Sequence, residues 1–157
     1  MLTPLTVHGF KNLVNVDVHF GPFTCIAGAN GVGKSNLFDA ITFLRALADR
    51  PLMEAASAVR DESNRSTPLK SLFTAGAKPF DEMMFTAEMI VPQTSTDDLG
   101  QPAKAAITFL RYTLILGLHE AEDNQYGERL IVKREELSYI NLGEAKSIAK
   151  TIKENQE

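Results

Sequence analysis

The sequence predicts an α/β fold with an added antiparallel β-subdomain, and three observations carry that prediction. Val14, Val16, Val18 and Phe20 alternate with Asn15, Asp17 and His19, the period of a strand with one buried face. An apolar run, Phe23 to Ala27, leads directly into a glycine-rich loop and then into a stretch whose apolar residues recur at helical spacing. From about Phe80 the alternation returns in several segments separated by turn-rich stretches.

Taken in order, residues 1–50 hold a β-hairpin, a central strand, the loop and its helix. Leu5 and Val7 mark a short first strand, Gly9 to Leu13 its connection, and Val14 to Phe20 the second strand. Gly21-Pro22 breaks the chain. Phe23 to Ala27 lacks alternation, as expected of a strand covered on both faces. The single cysteine, Cys25, lies in that run, forms no internal disulfide and reads as a small core residue. Leu37, Ala40, Ile41, Leu44 and Ala48 then make the apolar stripe of a helix, with Asn36, Asp39 and Asp49 on its other side. Pro51 ends that helix.

Residues 51–79 read as a helical and loop insertion, with a short helix at Leu52 to Val59 and a polar loop at Asp61 to Pro68. Residues 80–140 form the antiparallel subdomain. In it Phe85, Ala87, Met89 and Val91 alternate with Thr86 and Glu88, and Leu110, Tyr112, Leu114 and Leu116 share one face. A hairpin loop at Pro92 to Pro102, a polar turn at Glu120 to Glu128 and a strand at Leu130 to Lys133 complete it. Residues 141–157 read as an amphipathic C-terminal helix, with Ala145, Ile148, Ala149 and Ile152 on one side and Asn141 as its cap.

The 157 residues suffice for one domain with its own core. No run reaches the roughly 18 to 20 apolar residues of a bilayer span, and the N-terminus carries no basic segment before an apolar stretch. A cytoplasmic protein without a membrane partner is expected. The formal net charge is −4, and no dense basic cluster occurs, which argues against direct DNA binding by this piece alone. Binding through a larger assembly stays open.

Chemistry concentrates in Gly28-Ala29-Asn30-Gly31-Val32-Gly33-Lys34-Ser35, a full match to G-x-x-x-x-G-K-[ST]. Such a loop curls so that successive backbone N–H groups face phosphate oxygens, and its glycines take the dihedrals this demands. The helix that follows adds unpaired N–H groups and a positive dipole end. Lys34 supplies a flexible cation for the β- and γ-phosphates, and Ser35 a hydroxyl ligand for Mg²⁺. Four fixed positions would match by chance in about one chain in 200 of this length, and the strand-then-helix context lowers that further. ATP and Mg²⁺ are therefore the expected ligands, bound by Gly28, Asn30, Gly31, Val32, Gly33, Lys34, Ser35 and Asn36, with Ser35 also on the metal.

Other polar residues read as structural. His8, His19 and His119 lack the spacing of a metal site, and each is expected on the surface or half-buried in a strand. Asp81-Glu82 and Asp97-Asp98 read as solvated pairs, and Met83-Met84 as packing residues. No catalytic residue is assigned.

From Gly28 through Lys34-Ser35-Asn36-Leu37-Phe38-Asp39-Ala40-Ile41, the chain resembles the ABC-type ATPase heads of the SMC, RecF and OLD group of P-loop NTPases. Asn30 and Asn36 are the discriminating residues. The entry Val7-His8-Gly9-Phe10-Lys11-Asn12-Leu13 is similar to the opening hairpin of that group, and Phe85 to Val91 and Phe109 to Leu116 to its antiparallel subdomain. The resemblance implies an N-terminal ATPase lobe that pairs as a homodimer or with a complementary ATPase subunit. Its setting is DNA repair, chromosome maintenance or phage defence, and Lys11 or Asn12 approaches the phosphates.

The departures are as specific. No run of four apolar residues ends in Asp-Glu, as a Walker B strand does, and no LSGG-type signature, switch histidine or Q-loop is assignable. Binding without hydrolysis by the chain alone is the expectation, and the chain reads as the first half of such a head. Two alternatives compete with it. One is a small self-contained P-loop NTPase or kinase, which the β-rich second half disfavours because such enzymes alternate strands and helices. The other is a degenerate nucleotide-binding scaffold subunit, which retention of Lys34 and Ser35 weakens.

Overall fold

The computed structural model describes residues 1–59, 68–74, 82–97, 99–119, 127–141 and 143. In chain order they form β1 (Leu2–Phe10), β2 (Leu13–His19), α1 (Lys34–Leu47), α2 (Leu52–Ala58), one turn of 3₁₀ helix at Leu69–Leu72, β3 (Glu82–Ile90), β4 (Thr94–Thr96), β5 (Pro102–Lys104), β6 (Phe109–His119) and β7 (Arg129–Tyr139). Five strands make one antiparallel sheet in the order β2-β1-β3-β6-β7, and β4 and β5 form a separate two-stranded ribbon. The opening hairpin and the later strands share this sheet because β1 pairs with β2 on one side and β3 on the other.

One face of the sheet carries the core. Val16, Val7, Phe85 and Leu114 lie side by side across four strands, and Val18, Leu5, Ala87 and Tyr112 form the next row. Side chains two apart on a strand share a face, so these rows present a continuous apolar surface. Helix α1 lays Leu37, Ala40 and Phe43 into the same core. Phe10, Phe43 and Phe85 meet there with ring centroids 5.3 to 6.2 Å apart, the spacing of favourable aromatic pairs. Tyr112 sits at the core's margin, and its hydroxyl donates to Glu135 Oε1 at 2.8 Å. Burial first, and the Glu135 carboxylate second, push that phenol above its ordinary range, so it stays protonated.

The other face is polar. Glu88 is paired with Arg111, which donates to its Oε1 through Nε at 2.9 Å and approaches it through Nη2 at 2.8 Å. Lys133 on β7 reaches across β6 to Glu82 on β3, Nζ to Oε1 at 2.7 Å. It passes over Gly117, where a Cβ would lie only 2.6 Å from Lys133 Cε. A bare strand position thus lets one long side chain bridge two non-adjacent strands.

Where β1 ends, Gly9 adopts φ +74, and a Cβ there would sit 2.5 Å from the carbonyl oxygen of Glu82. The chain then pairs with the 3₁₀ segment: Lys11 N–H donates to Leu72 O at 2.8 Å, and Thr74 N–H to Gly9 O at 2.9 Å. Gly9→Ala combines left-handed strain with a backbone clash and is expected to destabilise the protein by about 1–3 kcal/mol in urea unfolding. An unshifted midpoint would refute this.

Several expectations need correction. Phe23 to Ala27 is not a strand: among the described residues none pairs its backbone with residues 22–27, and Phe23 is 86% exposed. An apolar run becomes a central strand only when neighbours satisfy its N–H and C=O groups. Cys25 is accordingly exposed, not a core residue. Val14 is also exposed, while its neighbour Leu13, opposite Phe10, is buried; Val16 and Val18 lie half-buried because β2 is an edge strand. In α1, Phe43 rather than Ala48 is a buried anchor. Strand β7 runs to Tyr139, well past Lys133: its charged residues Lys133 to Glu136 conceal a strand held by backbone pairing to β6. Pro92 to Pro102 contains the β4 strand and the start of β5 as well as a turn, where Asp97 Oδ1 accepts from the N–H of Leu99 and Gln101.

The short helix after Pro51 forms as α2, and Met83 is fully buried. His8 and His119 are exposed and His19 is half-buried, all three in strands. The polar loop at 61–68 and the turn at 120–128 lie mostly outside the described residues, and so does the C-terminal helix at 141–157.

Candidate nucleotide phosphate site

The glycine-rich loop delivers the chain into α1 through two residues with positive φ, Gly31 at 85° and Gly33 at 103°. Any other residue would pay in strain at both positions. Gly33 is the N-cap of α1, and it offers no side chain to the helix start. Leu37 N–H donates to Gly33 O at 2.9 Å, the first helical bond. The N–H groups of Lys34, Ser35 and Asn36 therefore have no acceptor within the helix. The first turn contains no acidic residue, so nothing neutralises the positive end of the helix dipole.

Lys34 folds back over the loop. Its ammonium donates to Gly28 O and Ala29 O, each at 2.6 Å. The strongest cation in the motif thus rests on carbonyls of the loop itself. The groups present fit a polyphosphate: a lysine ammonium, helix-start amides without an intrahelical acceptor and two glycines with positive φ. Ser35 is exposed at the second helical position. Among the described residues no cluster of three or more His, Cys, Asp or Glu side chains could hold a metal. A Mg²⁺ ion at this loop would rely on Ser35 and on the phosphates it accompanies, a common arrangement for this cation.

The β1–β2 turn packs against the loop. Asn12 Nδ2 donates to Gly31 O at 3.2 Å, and Asn36 Nδ2 donates to Asn12 Oδ1 at 2.8 Å. Lys11 points elsewhere: with φ 50°, it donates through Nζ to Asp39 Oδ2 and to Val59 O, both at 2.6 Å. Of the two turn residues expected to approach phosphate, one lies on the loop and the other on the flank of α1.

The structure bonds the site residues in two sets: Lys34 to Gly28 and Ala29, and Asn12 to Gly31 and Asn36. Asn30 and Val32 are exposed on the loop, Val32 at 60%. What sequence reasoning missed is the Asn12 to Asn36 contact. Its traces in the sequence are a polar Lys-Asn pair in a hairpin turn and the family resemblance, which implied that Lys11 or Asn12 approaches the phosphates but not that Asn12 bonds Asn36. Residues 5–71, which hold most of β1, all of β2, the loop and both helices, match the family model of an AAA domain, so this part of the chain is similar to AAA-type ATPase domains.

Proposed function

We propose that this chain is the ATP-binding, Walker A lobe of an ATPase of the RecF, SMC and OLD-like group, working in DNA repair, chromosome maintenance or phage defence. The observation that carries the reading is a complete P-loop at the uncapped start of a 14-residue helix, with the Lys34 ammonium turned in onto the loop. The ligand is ATP with Mg²⁺. Loop and helix-start amides hold the phosphates, Lys34 neutralises the β- and γ-phosphates, and Ser35 contributes to the metal's shell.

Alone, the lobe binds without turnover. Phosphoryl transfer to water needs a held metal and a positioned nucleophile, and no Walker B-type run ending in Asp-Glu occurs in the sequence. The lobe pairs as a homodimer or with a complementary ATPase subunit, of which only the latter brings acidic groups that this chain lacks, and DNA is engaged through that assembly. Three exposed apolar side chains around the loop support this: Phe23 at 86%, Val32 at 60% and Phe38 at 55%. Exposed apolar side chains of this size, and the backbone of residues 22–27, which no described residue pairs, are suited to being covered by another element. The antiparallel order of the sheet disfavours a self-contained kinase, whose strands would run parallel between helices.

Calorimetry with Mg²⁺ and ATP tests the reading. Saturable, Mg²⁺-dependent binding by the wild type and at least about tenfold weaker binding by Lys34→Ala are expected, given the strength of charged hydrogen bonds to phosphate. Equal affinities would remove the P-loop from the function, and no binding at millimolar ATP would remove nucleotide binding from the isolated chain.

A further inference from the structure

We infer that Asn12, in the turn between β1 and β2, is a positioning residue for the P-loop, bridging Gly31 and Asn36 and tying the loop to the antiparallel sheet. The inference rests on the ATP-binding reading above and adds to it the residue that shapes the loop. Asn12 is 19 residues from Gly31 and 24 from Asn36, so both bonds join segments that the local chain does not hold together. Its side-chain amide uses one donor and one acceptor at once. A carboxamide does that with a single planar group, its NH₂ donating and its oxygen accepting.

The turn that presents Asn12 is itself anchored. Phe10 is fully buried and Leu13 nearly so. Lys11 N–H is held by Leu72 O at 2.8 Å, and the Lys11 ammonium by Asp39 and Val59 O. The fit is close: a Cβ at Gly33 would lie 2.8 Å from Asn12 Oδ1 and 3.1 Å from Leu13 Cδ2.

The bonds of Asn12 and Lys34 divide the loop between them. Lys34 ties down its beginning, at Gly28 and Ala29, whereas Asn12 ties down its end, from Gly31 into the helix. A phosphate that draws the ammonium away releases the first pair and leaves the second. Glycines at 28, 31 and 33 make an untied loop entropically costly to order. Asn12 therefore maintains the curl of the loop's second half whether or not Lys34 is engaged.

The test uses the whole chain with Asn12→Ala, Asn12→Asp, Asn36→Ala and the Asn12→Ala/Asn36→Ala double variant. Asn12 is exposed, so melting temperatures should stay at the wild-type value. In nucleotide-free protein, amide exchange at Leu37, whose N–H donates to Gly33 O as the first bonded amide after the loop, should rise about fivefold in Asn12→Ala. Removing Asn36 as well should add less than its separate effect, because the two side chains share one bond. Affinity for Mg²⁺-ATP should fall about fivefold in Asn12→Ala. It should fall further in Asn12→Asp, which loses the donor and sets a negative charge beside Gly31 O and the phosphates. Unchanged exchange in Asn12→Ala overturns the inference, whatever the wild type does with ATP. Faster exchange with unchanged ATP affinity also overturns it, since the tie would then not position the loop for ligand. If wild type and Lys34→Ala bind ATP equally, the nucleotide reading fails, and the exchange measurement alone decides whether Asn12 braces the loop.

Discussion

Gly33→Ala is expected to weaken Mg²⁺-ATP binding by about a hundredfold while leaving the core intact. Gly33 holds φ 103° at the N-cap of α1, a conformation that costs roughly 1–2 kcal/mol for a residue with a Cβ. The new methyl would also lie 2.8 Å from Asn12 Oδ1. That amide can move aside, but only by weakening bonds to Gly31 and Asn36 that contribute about 0.5–1.5 kcal/mol each. Strain and lost bonds together reach about 3 kcal/mol, and each 1.4 kcal/mol is about a factor of ten in affinity. The cost falls on binding because the unliganded loop can relax to another shape, whereas a phosphate needs this one. Calorimetry on the variant measures it, with thermal unfolding as the control for the fold. Retained affinity would mean that the loop binds in a conformation other than the one described.

Phe43→Ala should cost about 3–5 kcal/mol of stability, the usual range for removing a buried ring from a packed core. Phe43 is fully buried, and its ring stacks on Phe10 at 6.2 Å and meets Phe85 at 5.4 Å. Its ring joins α1 to β1 and β3 at a single point. A domain of this size loses roughly 2–4 °C of melting temperature per kcal/mol, so a fall of about 10 °C is expected. Phe38→Ala is the matched control: the same residue type on the same helix, 55% exposed, with an expected change within about 0.5 kcal/mol. If the two variants melt together, the aromatic cluster does not hold α1 to the sheet. The link to function is direct, since α1 carries Lys34, Ser35 and Asn36 at its first turn.

Much of the candidate site was legible because it is local. The eight residues from Gly28 to Ser35 carry their chemistry in their own spacing, and the helix that follows shows its buried stripe at Leu37 and Ala40. Phe85 and Ala87 alternate with Thr86 and Glu88, Tyr112 and Leu114 flank Thr113, and both segments do form strands. The edge strand β7 was harder to read because exposure on both sides removes the alternation that marks a half-buried strand. Asn12 was named by resemblance only, as one of two turn residues near the phosphates; its own spacing gave no signal, because a polar residue in a turn looks the same whether it faces solvent or braces a loop.

The sequence by itself determined the place of the glycine-rich loop at the head of a helix, the helix after Pro51 and the apolar rows of β3 and β6. Each is settled by residues within a few positions of one another, where side-chain spacing and backbone preference suffice. The tertiary structure alone decided which segments pair. It joined the opening hairpin to the later strands through β1 and β3, extended β7 along β6, left Phe23 to Ala27 without a partner and set Asn12 on the P-loop. Those outcomes depend on hydrogen bonds between groups far apart in the chain. An apolar run can therefore end as a buried strand or as an unpaired, exposed segment according to what lies beside it.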